Sequence, residues 1–194
     1  MYRVKCTLKG IIPVMFDRFY NIDELEGPIK KRAKSAWKEL LPYKMYFDKK
    51  GVYVPTDNVR MMLIGNKLRT GAAKILGSSI ETKKGKEYLD FCKACVWIVG
   101  PDNPIKIYFK PNRKKYDDYD ERSFINASNS RGITRRPLIT TPWTITFFVD
   151  VTDDQYDESK IRQLFDVAGM RCGLGAYGPT FGRFLITEWT LIKS

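Results

Sequence analysis

The sequence predicts an α+β domain in which helices and strands alternate along one chain. Residues 56–77 and 157–170 repeat apolar side chains at helical spacing. Other segments, such as residues 144–151, are apolar and rich in β-branched and aromatic residues, as strands are. The chain has 194 residues, of which 43% are hydrophobic, so it can build one sizeable core. We therefore expect a single domain over residues 1–194 that carries insertions.

The first strand is predicted over residues 2–16, where partial alternation runs into an apolar stretch that ends at Phe16. Residues 17–54 are strongly charged and include a basic, helix-like stretch at 28–38. A hairpin is predicted over residues 44–54, because a Lys-Lys-Gly turn separates its two halves. We interpret the whole block 17–54 as an insertion after the first strand.

The first helix is predicted to begin at Thr56, whose hydroxyl can cap free backbone N–H groups, and to end at Gly77. Asp57 in its first turn favours the positive end of the helix dipole. The opposite face is basic, and this pattern fits either a solvated face or a ridge directed at phosphates. The basic residues of that face are Arg60, Lys67, Arg69 and Lys74.

Two strands are predicted at residues 91–99 and 105–109, on either side of a Gly-Pro-Asp-Asn-Pro turn. Residues 110–141 have few apolar side chains, so we expect them to project as a mobile arm. Basic residues and tyrosines interleaved in such an arm suit backbone contacts and base stacking, although an ordinary solvated loop has a similar composition. Its acidic run 117–121 either binds a divalent cation or balances local charge. The basic candidates in the arm are Arg113, Lys114, Lys115, Arg131, Arg135 and Arg136.

The C-terminal part contains a strand at 144–151, a second helix at 157–170 and a last strand at 181–192. The complete order is strand, helix, strand, arm, strand, helix, strand. This βαββαβ order predicts a ferredoxin-like or RRM-like core: a four-stranded antiparallel sheet with two helices on one face. The other face of such a sheet is often a platform for nucleic acid.

The charge of the chain indicates a polyanionic partner. Lysine and arginine number 34 against 22 acidic residues, a net charge of +12. Nucleic acid is the first partner to consider, and an anionic membrane is the rival. No stretch approaches the roughly 20 apolar residues of a spanning helix, and the N-terminus lacks the apolar core of a signal peptide. We expect a cytoplasmic protein that does not bind membranes.

The residues absent from the chain restrict its chemistry. It contains no histidine, which excludes Ser-His-Asp and Cys-His nucleophiles and His-based metal sites. Cys92 and Cys95 have the C-x-x-C spacing of half a zinc site or a redox pair, but no second pair completes the ligands. We therefore expect core thiols, no metal, no cofactor and no assigned catalytic residue. Catalysis by carboxylates, or by tyrosine and lysine, stays open.

Gly173, Gly175 and Gly178 form a literal G-x-G-x-x-G pattern, which is typical of dinucleotide-binding loops. That function requires a strand before the glycines and a helix after them, and here the predicted order is reversed. We expect instead a loop whose backbone N–H groups are open to a phosphate, with Arg171 and Arg183 on its flanks. The alternative is an ordinary helix C-cap followed by a turn, which needs no ligand.

The segment GLGAYGPTFGRF, residues 173–184, resembles the C-terminal glycine-rich loop of the RAMP superfamily, the RRM-fold proteins of CRISPR–Cas effector complexes. Two further segments are similar to that family. Residues 54–60, VPTDNVR, match its proline-led, basic start of the first helix. Residues 110–141 lie where its backbone subunits carry a thumb-like hairpin.

The resemblance implies a non-catalytic subunit that binds single-stranded nucleic acid, with RNA favoured and single-stranded DNA kept as the alternative. Because basic residues outnumber asparagine and glutamine, we expect contacts mainly with the nucleic-acid backbone. It implies self-association along the strand and contact with other CRISPR effector subunits. The glycine-rich loop, residues 173–182, and the first helix would lie near the RNA backbone, and the arm would reach over it. The candidate binding residues are Asn58, Arg60, Lys67, Arg69, Arg113, Lys114, Lys115, Arg131, Arg135, Arg136, Arg171, Gly173, Gly175, Tyr177 and Arg183.

Three alternatives stay open beside this prediction. The first is an endoribonuclease of the same superfamily that uses tyrosine and lysine, or an aspartate such as Asp17 or Asp23. The second is a viral relative that binds single strands or interferes with CRISPR complexes. The third is a protein-interaction subunit whose charge serves an acidic partner. Tyr116, Tyr119 and Tyr177 are the candidate stacking surfaces of the binding prediction.

Overall fold

The computed structural model describes residues 1–25, 35–80, 85–125 and 129–192. Its strands are β1 Tyr2–Gly10, β2 Val14–Met15, β3 Tyr53–Pro55, β4 Val96–Val99, β5 Lys106–Tyr108, β6 Asp118–Ile125, β7 Arg131–Ile139, β8 Thr144–Val151 and β9 Phe184–Ile192. Its helices are α1 Trp37–Leu40, α2 Thr56–Ile64, α3 Ala72–Ile80, α4 Gly85–Cys95 and α5 Glu158–Val167.

The central sheet has the strand order β4-β8-β1-β9, and every neighbouring pair is antiparallel. Helices α2, α3 and α4 connect β1 to β4, and α5 connects β8 to β9. This is the topology of the predicted ferredoxin-like, RRM-like α+β fold. The prediction of fold class is therefore confirmed.

The core lies between this sheet and its helices. Val4, Cys6 and Leu8 alternate on the buried face of β1, as the two-residue period of a strand requires. Phe165 of α5 lies 5.8 Å from Phe147 of β8 between ring centres, so the second helix packs directly on the sheet. Residues of α2 belong to the same buried cluster. Burial of this apolar surface is the main stabilising contribution to the fold.

The first predicted helix, 56–77, is wrong as a single element. Helix α2 ends at Ile64, followed by Gly65 with φ 76°, and α3 begins only at Ala72. A side chain at Gly65 would collide with the backbone of Gly71, so the two glycines form a tight link between the helices. Thr56 also does not cap α2: Pro55 precedes the helix without a side-chain cap bond, and Thr56 is buried.

The strand predicted at 91–99 is also wrong over its first half, because residues up to Cys95 belong to α4. Tyr88, Phe91 and Cys92 share one helix face, and both aromatic rings contact Tyr156. Burial raises the pKa of the Cys92 thiol to about 12, so the thiolate that zinc and redox chemistry need is disfavoured. All four cysteines are free thiols.

The first strand is shorter than the prediction of 2–16. Strand β1 ends at Gly10, where the ring of Trp143 occupies the space that a side chain would need. The indole N–H of Trp143 donates to the carbonyl of Ile12 at 3.0 Å. The chain then enters β2, which pairs with β7 in a separate three-stranded sheet, β2-β7-β6.

The predicted arm, 110–141, contains the paired strands β6 and β7, so its described residues form a β-hairpin and not a loop without regular structure. Its base is anchored in the core through Leu138 and Ile139, which are buried. The predicted hairpin at 44–54 turns where Asp48 and Gly51 exchange backbone hydrogen bonds, and β3 then pairs with β5. Most of the basic stretch 28–38 lies outside the described residues.

The C-terminal elements follow the prediction closely. Helix α5 is capped by Asp157, whose carboxylate accepts from the N–H of Lys160 at 3.0 Å. A π-helical turn, Ala168–Cys172, extends the helix to the glycine-rich loop, and β9 begins at Phe184. No helix in the described part of the chain is long and apolar enough to cross a membrane.

Candidate nucleic-acid interface

The glycine-rich loop, residues 173–182, crosses the end of β2 between α5 and β9. Gly175 has φ 80° and Gly182 has φ 74°, and both backbones lie too close to neighbouring carbonyls to carry a side chain. The loop follows a helical segment and precedes a strand. A dinucleotide-binding loop has the opposite order, so this loop is not one.

Most backbone N–H groups of this loop already have partners. Gly173 donates to Ala168, Leu174 to Gly182 and Ala176 to Met15, with N···O distances of 2.8 Å each. The N–H groups of Phe181 and Gly182 are bonded to the carbonyls of Tyr177 and Pro13. Within the described chain, the N–H groups without a hydrogen bond are those of Gly175, Tyr177, Gly178 and Thr180. The predicted set of open donors is thus restricted to Gly175 and to three residues at the tip of the loop, Tyr177, Gly178 and Thr180.

A cleft of about 260 Å³ lies beside the loop. One wall comes from α2 and the link after it, and the opposite wall comes from Gly175, Ala176 and the chain around Asp17. Asn58, the candidate at the start of α2, lines this cleft. The structure therefore brings the start of the first helix and the glycine-rich loop together across one groove.

The β6–β7 hairpin contacts the loop on its other side. The guanidinium of Arg122 lies 5.0 Å from the Tyr177 ring centre and 5.2 Å from that of Phe181. Arg136 lies 4.7 Å from the Tyr177 ring centre, and its Nε donates to Asp17 at 2.7 Å. Arg122 pairs in turn with Asp120 at 2.6 Å, so both hairpin arginines already have carboxylate partners.

The side chains of three other arm candidates also have partners, some in the hairpin and some in neighbouring segments. Arg135 pairs with Glu121 at 2.6 Å and stacks 4.1 Å from the ring centre of Trp37. Arg113 donates to Asp117 and to the carbonyls of Pro111 and Pro142. Lys114 donates to the carbonyls of Lys49 and Lys50 at 2.9 and 3.0 Å. These side chains hold the hairpin against the rest of the chain.

Two candidates near the helices and the loop also have local partners. Arg60 donates to the carbonyl of Lys93 at 2.6 Å and lies 4.5 Å from the ring centre of Trp97. Arg183 donates through Nε to the carbonyl of Pro179 at 2.9 Å. Four candidate side chains are exposed and form no hydrogen bond or ion pair with the described residues: Lys67, Lys115, Arg131 and Arg171.

The helix-free face of the sheet carries paired charges. Arg3 pairs with Asp150 at 2.5 Å, and Lys5 pairs with Glu188 at 2.7 Å. Thr7 bonds both Thr146 and Glu188. Hydrogen bonds between the strands' own side chains therefore occupy much of the face that serves as a platform in many RRM-like proteins.

No protein-family model matches the chain, and no curated protein matches it. A solved structure does: a chain of the type III-B Cmr-beta complex bound to cognate target RNA, determined by cryo-EM, with a TM-score of 0.56 and 13% sequence identity. The likeness shows the fold. It covers 99% of this chain and 61% of that chain, so the present chain spans about 61% of the length of its structural neighbour.

Sequence reasoning missed two residues that shape the candidate site. Arg122 alternates with Asp120 and Phe124 on one face of β6, but the segment was interpreted as a loop, in which no face is defined. Trp37 contacts Arg135 and Tyr119, which lie on the opposite face of the hairpin from the residues that contact Tyr177. The strand period of 118–125 was the signal that would have identified Arg122.

Proposed function

We propose that the protein binds single-stranded RNA without catalysis, as a RAMP-like subunit of the CRISPR effector type. One observation carries the proposal: the glycine-rich loop and the start of α2 face each other across one groove, and the β6–β7 hairpin contacts the loop and Asp17 beside that groove. The loop tip beside that groove has unpartnered N–H groups among the described residues, at Tyr177, Gly178 and Thr180. Such donors suit phosphate oxygens.

Charge and fold support the same proposal. The net charge of +12 favours a polyanion. The structural neighbour belongs to a complex bound to target RNA, which supports RNA over DNA as the strand. The contacts would go mainly to the backbone, because N–H donors and lysine or arginine side chains recognise phosphates without reading bases.

The test is fluorescence anisotropy with labelled single-stranded RNA, single-stranded DNA and duplex DNA at two salt concentrations. The binding variant replaces the unpartnered exposed candidates Lys67, Arg131 and Arg171 with alanine. The matched control replaces Lys86, Lys110 and Arg162, which removes the same charge from positions outside the candidate set. We expect tight, salt-sensitive RNA binding that the first variant weakens far more than the control. Equal losses in the two variants would mean that only overall charge matters.

An Asp17-dependent nuclease is a second candidate, because Asp17 lines the groove. Its carboxylate accepts from Arg136 at 2.7 Å and lies 4.0 Å from the ammonium group of Lys44. Within the part of the chain that the structure describes, no three metal-ligating side chains cluster around a common point. A gel of the RNA recovered from the binding assay decides between the two functions, because cleavage shortens the strand.

Assembly is part of the proposal. Backbone subunits of the resembled family repeat along a guide RNA, so we propose that RNA promotes self-association and contact with other effector subunits. Light scattering of the protein with RNAs of increasing length tests this, with mass rising in steps as the expected result. If the protein binds no nucleic acid even at low salt, the basic surface serves a protein partner, and the interaction-subunit alternative gains support.

A further inference from the structure

Arg69 lies in the short link between α2 and α3, where its backbone is fixed. The side chain of Asn66 accepts from the N–H groups of Leu68 and Arg69 at 2.8 and 2.9 Å. The N–H of Asn66 donates to the carbonyl of Arg69 at 2.9 Å, which closes the turn. The link therefore presents the Arg69 side chain in one direction, toward the glycine-rich loop.

The guanidinium of Arg69 donates to three backbone carbonyls of the segment that enters this loop. It contacts the carbonyl oxygens of Cys172, Gly173 at 2.6 Å and Gly175 at 2.9 Å. Among the described residues, no carboxylate lies within ion-pair distance of it. Cys172 ends the π-helical turn after α5, and a cation at a helix C-terminus is favourable because the last carbonyls lack intrahelical partners.

These contacts fix three peptide units from both sides. A peptide unit is planar, so the carbonyl of one residue and the N–H of the next point in opposite directions. On one side, the carbonyls of Cys172, Gly173 and Gly175 accept from Arg69. On the other side, the N–H groups of the next residues, Gly173, Leu174 and Ala176, donate to the carbonyls of Ala168, Gly182 and Met15. Rotation of any of the three units would break hydrogen bonds on both sides.

The backbone of Gly178 rests against the same contact. A side chain built at Gly178 would collide with the carbonyl oxygen of Cys172 and with the Arg69 guanidinium. Arg69 therefore supports the tip of the loop as well as its entrance. The tip carries the N–H groups for which the described chain provides no acceptor, at Tyr177, Gly178 and Thr180.

We propose that Arg69 is a positioning residue that sets the peptide orientation of the glycine-rich loop and so aims the tip N–H groups at an RNA phosphate. This reassigns Arg69, which the sequence placed among direct phosphate contacts. Lysine does not replace it, because one ammonium group cannot reproduce the planar fork that reaches three carbonyls. The effect on RNA rests on the proposed function, whereas the effect on the loop does not.

The test compares Arg69→Lys and Arg69→Gln with the wild type by two measurements. The first is NMR-detected amide hydrogen exchange of the RNA-free protein. We expect both variants to accelerate exchange at Gly173, Leu174 and Ala176 by at least about 10-fold, while amides of β1 and β8 stay protected. Unchanged exchange at these three amides would overturn the proposal, whether or not the protein binds RNA.

The second measurement is RNA affinity as a function of salt. A direct phosphate contact contributes about 0.7 to the slope of log affinity against log salt for a single strand. We expect both Arg69 variants to lose affinity about 5-fold or more with the slope unchanged, because the lost contacts are with backbone carbonyls. A reduced slope in Arg69→Gln that Arg69→Lys restores would overturn the proposal in favour of direct phosphate contact.

Two further variants keep the test decisive. Lys67→Ala changes an exposed cation in the same link and should reduce the salt slope while leaving the loop amides protected. Gly178→Ala inserts a methyl group into the Arg69–Cys172 contact and keeps the arginine. If the Arg69 variants do not fold, Gly178→Ala carries the exchange test: faster exchange at Gly173, Leu174 and Ala176 supports the proposal, and wild-type exchange overturns it.

Discussion

Arg136 stacks on Tyr177, with its guanidinium carbon 4.7 Å from the centre of the ring. Arg122 contacts the same ring at 5.0 Å, so two arginines of the hairpin meet one aromatic side chain of the glycine-rich loop. Tyr177 itself has φ 55°, which is uncommon for a residue other than glycine. The ring that the sequence offered as a base-stacking surface thus joins the loop to the hairpin.

The first prediction concerns this ring. Tyr177→Ala removes both arginine contacts and is expected to lower RNA affinity about 5-fold or more, because each cation–π contact contributes roughly 0.5–1 kcal/mol. Tyr177→Phe keeps the ring and should bind as the wild type does. Fluorescence anisotropy measures both, with Tyr119→Ala, on the opposite face of the hairpin, as the aromatic control. Equal losses in the Phe and Ala variants would show that the hydroxyl matters and not the ring.

The second prediction concerns Asp17 in the groove. Asp17→Asn removes a negative charge beside Arg136 and Lys44, so we expect tighter binding of single-stranded RNA, by about 2- to 5-fold at low salt. The RNA should be recovered intact from both proteins. Asp90→Asn, on α4 and outside the groove, is the charge-matched control. Cleavage by the wild type that Asp17→Asn abolishes would replace the binding proposal with the nuclease alternative.

Sequence patterns predicted the fold through its alternating strands. Strand β8 and helix α5 were identified because each has one buried face and a clear period, and Asp157 marked the helix start. The helical state of residues 91–95 was not predicted, since it depends on the tertiary contact with Tyr156. The break at Gly65 was missed although a glycine at that position is a local signal for a helix end. Local periodicity does not encode contacts between distant segments.

The candidate site, like the fold, could be predicted from the sequence only in part. The glycine-rich loop could be found by its composition, and its position after a helix excluded a dinucleotide. The sequence does not reveal which group each basic side chain contacts. Arg69, for example, donates to carbonyls more than 100 residues away in the chain. Charge counting therefore assigned Arg69, Arg113 and Arg135 to nucleic acid, although backbone carbonyls and carboxylates already contact them.

The third prediction separates two arginines of the hairpin. Arg131 is exposed and has no ion-pair partner within the described residues, whereas Arg135 is held by Glu121 and Trp37. Arg131→Ala should reduce the salt slope of RNA binding by about 0.7 and leave thermal stability unchanged. Compared with Arg131→Ala, Arg135→Ala should lower the melting temperature more and should reduce the salt slope of RNA binding less. Salt titrations and calorimetry measure these effects, and the reverse pattern would contradict the assignment.

The fourth prediction concerns Trp143, which is fully buried against Gly10. Trp143→Phe removes the indole N–H that bonds Ile12 and leaves a smaller ring in the same space. We expect a loss of about 2–4 kcal/mol in the free energy of unfolding, measured by urea denaturation. Trp97→Phe is the control, since Trp97 is 46% exposed and should cost far less. Equal losses would contradict the role of Trp143 in ending β1.

The last prediction is a pH dependence at the turn before β3. The carboxylate of Asp48 accepts from the ammonium group of Lys106 at 2.7 Å and from the hydroxyl of Tyr108 at 2.8 Å. These bonds, with those from the N–H groups of Lys50 and Gly51, hold the pKa of Asp48 well below its ordinary value of 3.8. A carboxyl group with a depressed folded-state pKa binds its proton more weakly in the folded protein than in the unfolded chain.

The stabilising contribution of Asp48 is therefore complete above its unfolded pKa, near 3.8, and is lost as the pH falls through the lower folded-state value. Asp48→Asn should melt at a lower temperature than the wild type near pH 7, and the gap should narrow steadily below about pH 4. Thermal unfolding of both proteins across this range measures the gap, with Asp90→Asn as the control. A gap of constant size down to about pH 2 would mean that the turn depends on shape and not on the charge of Asp48.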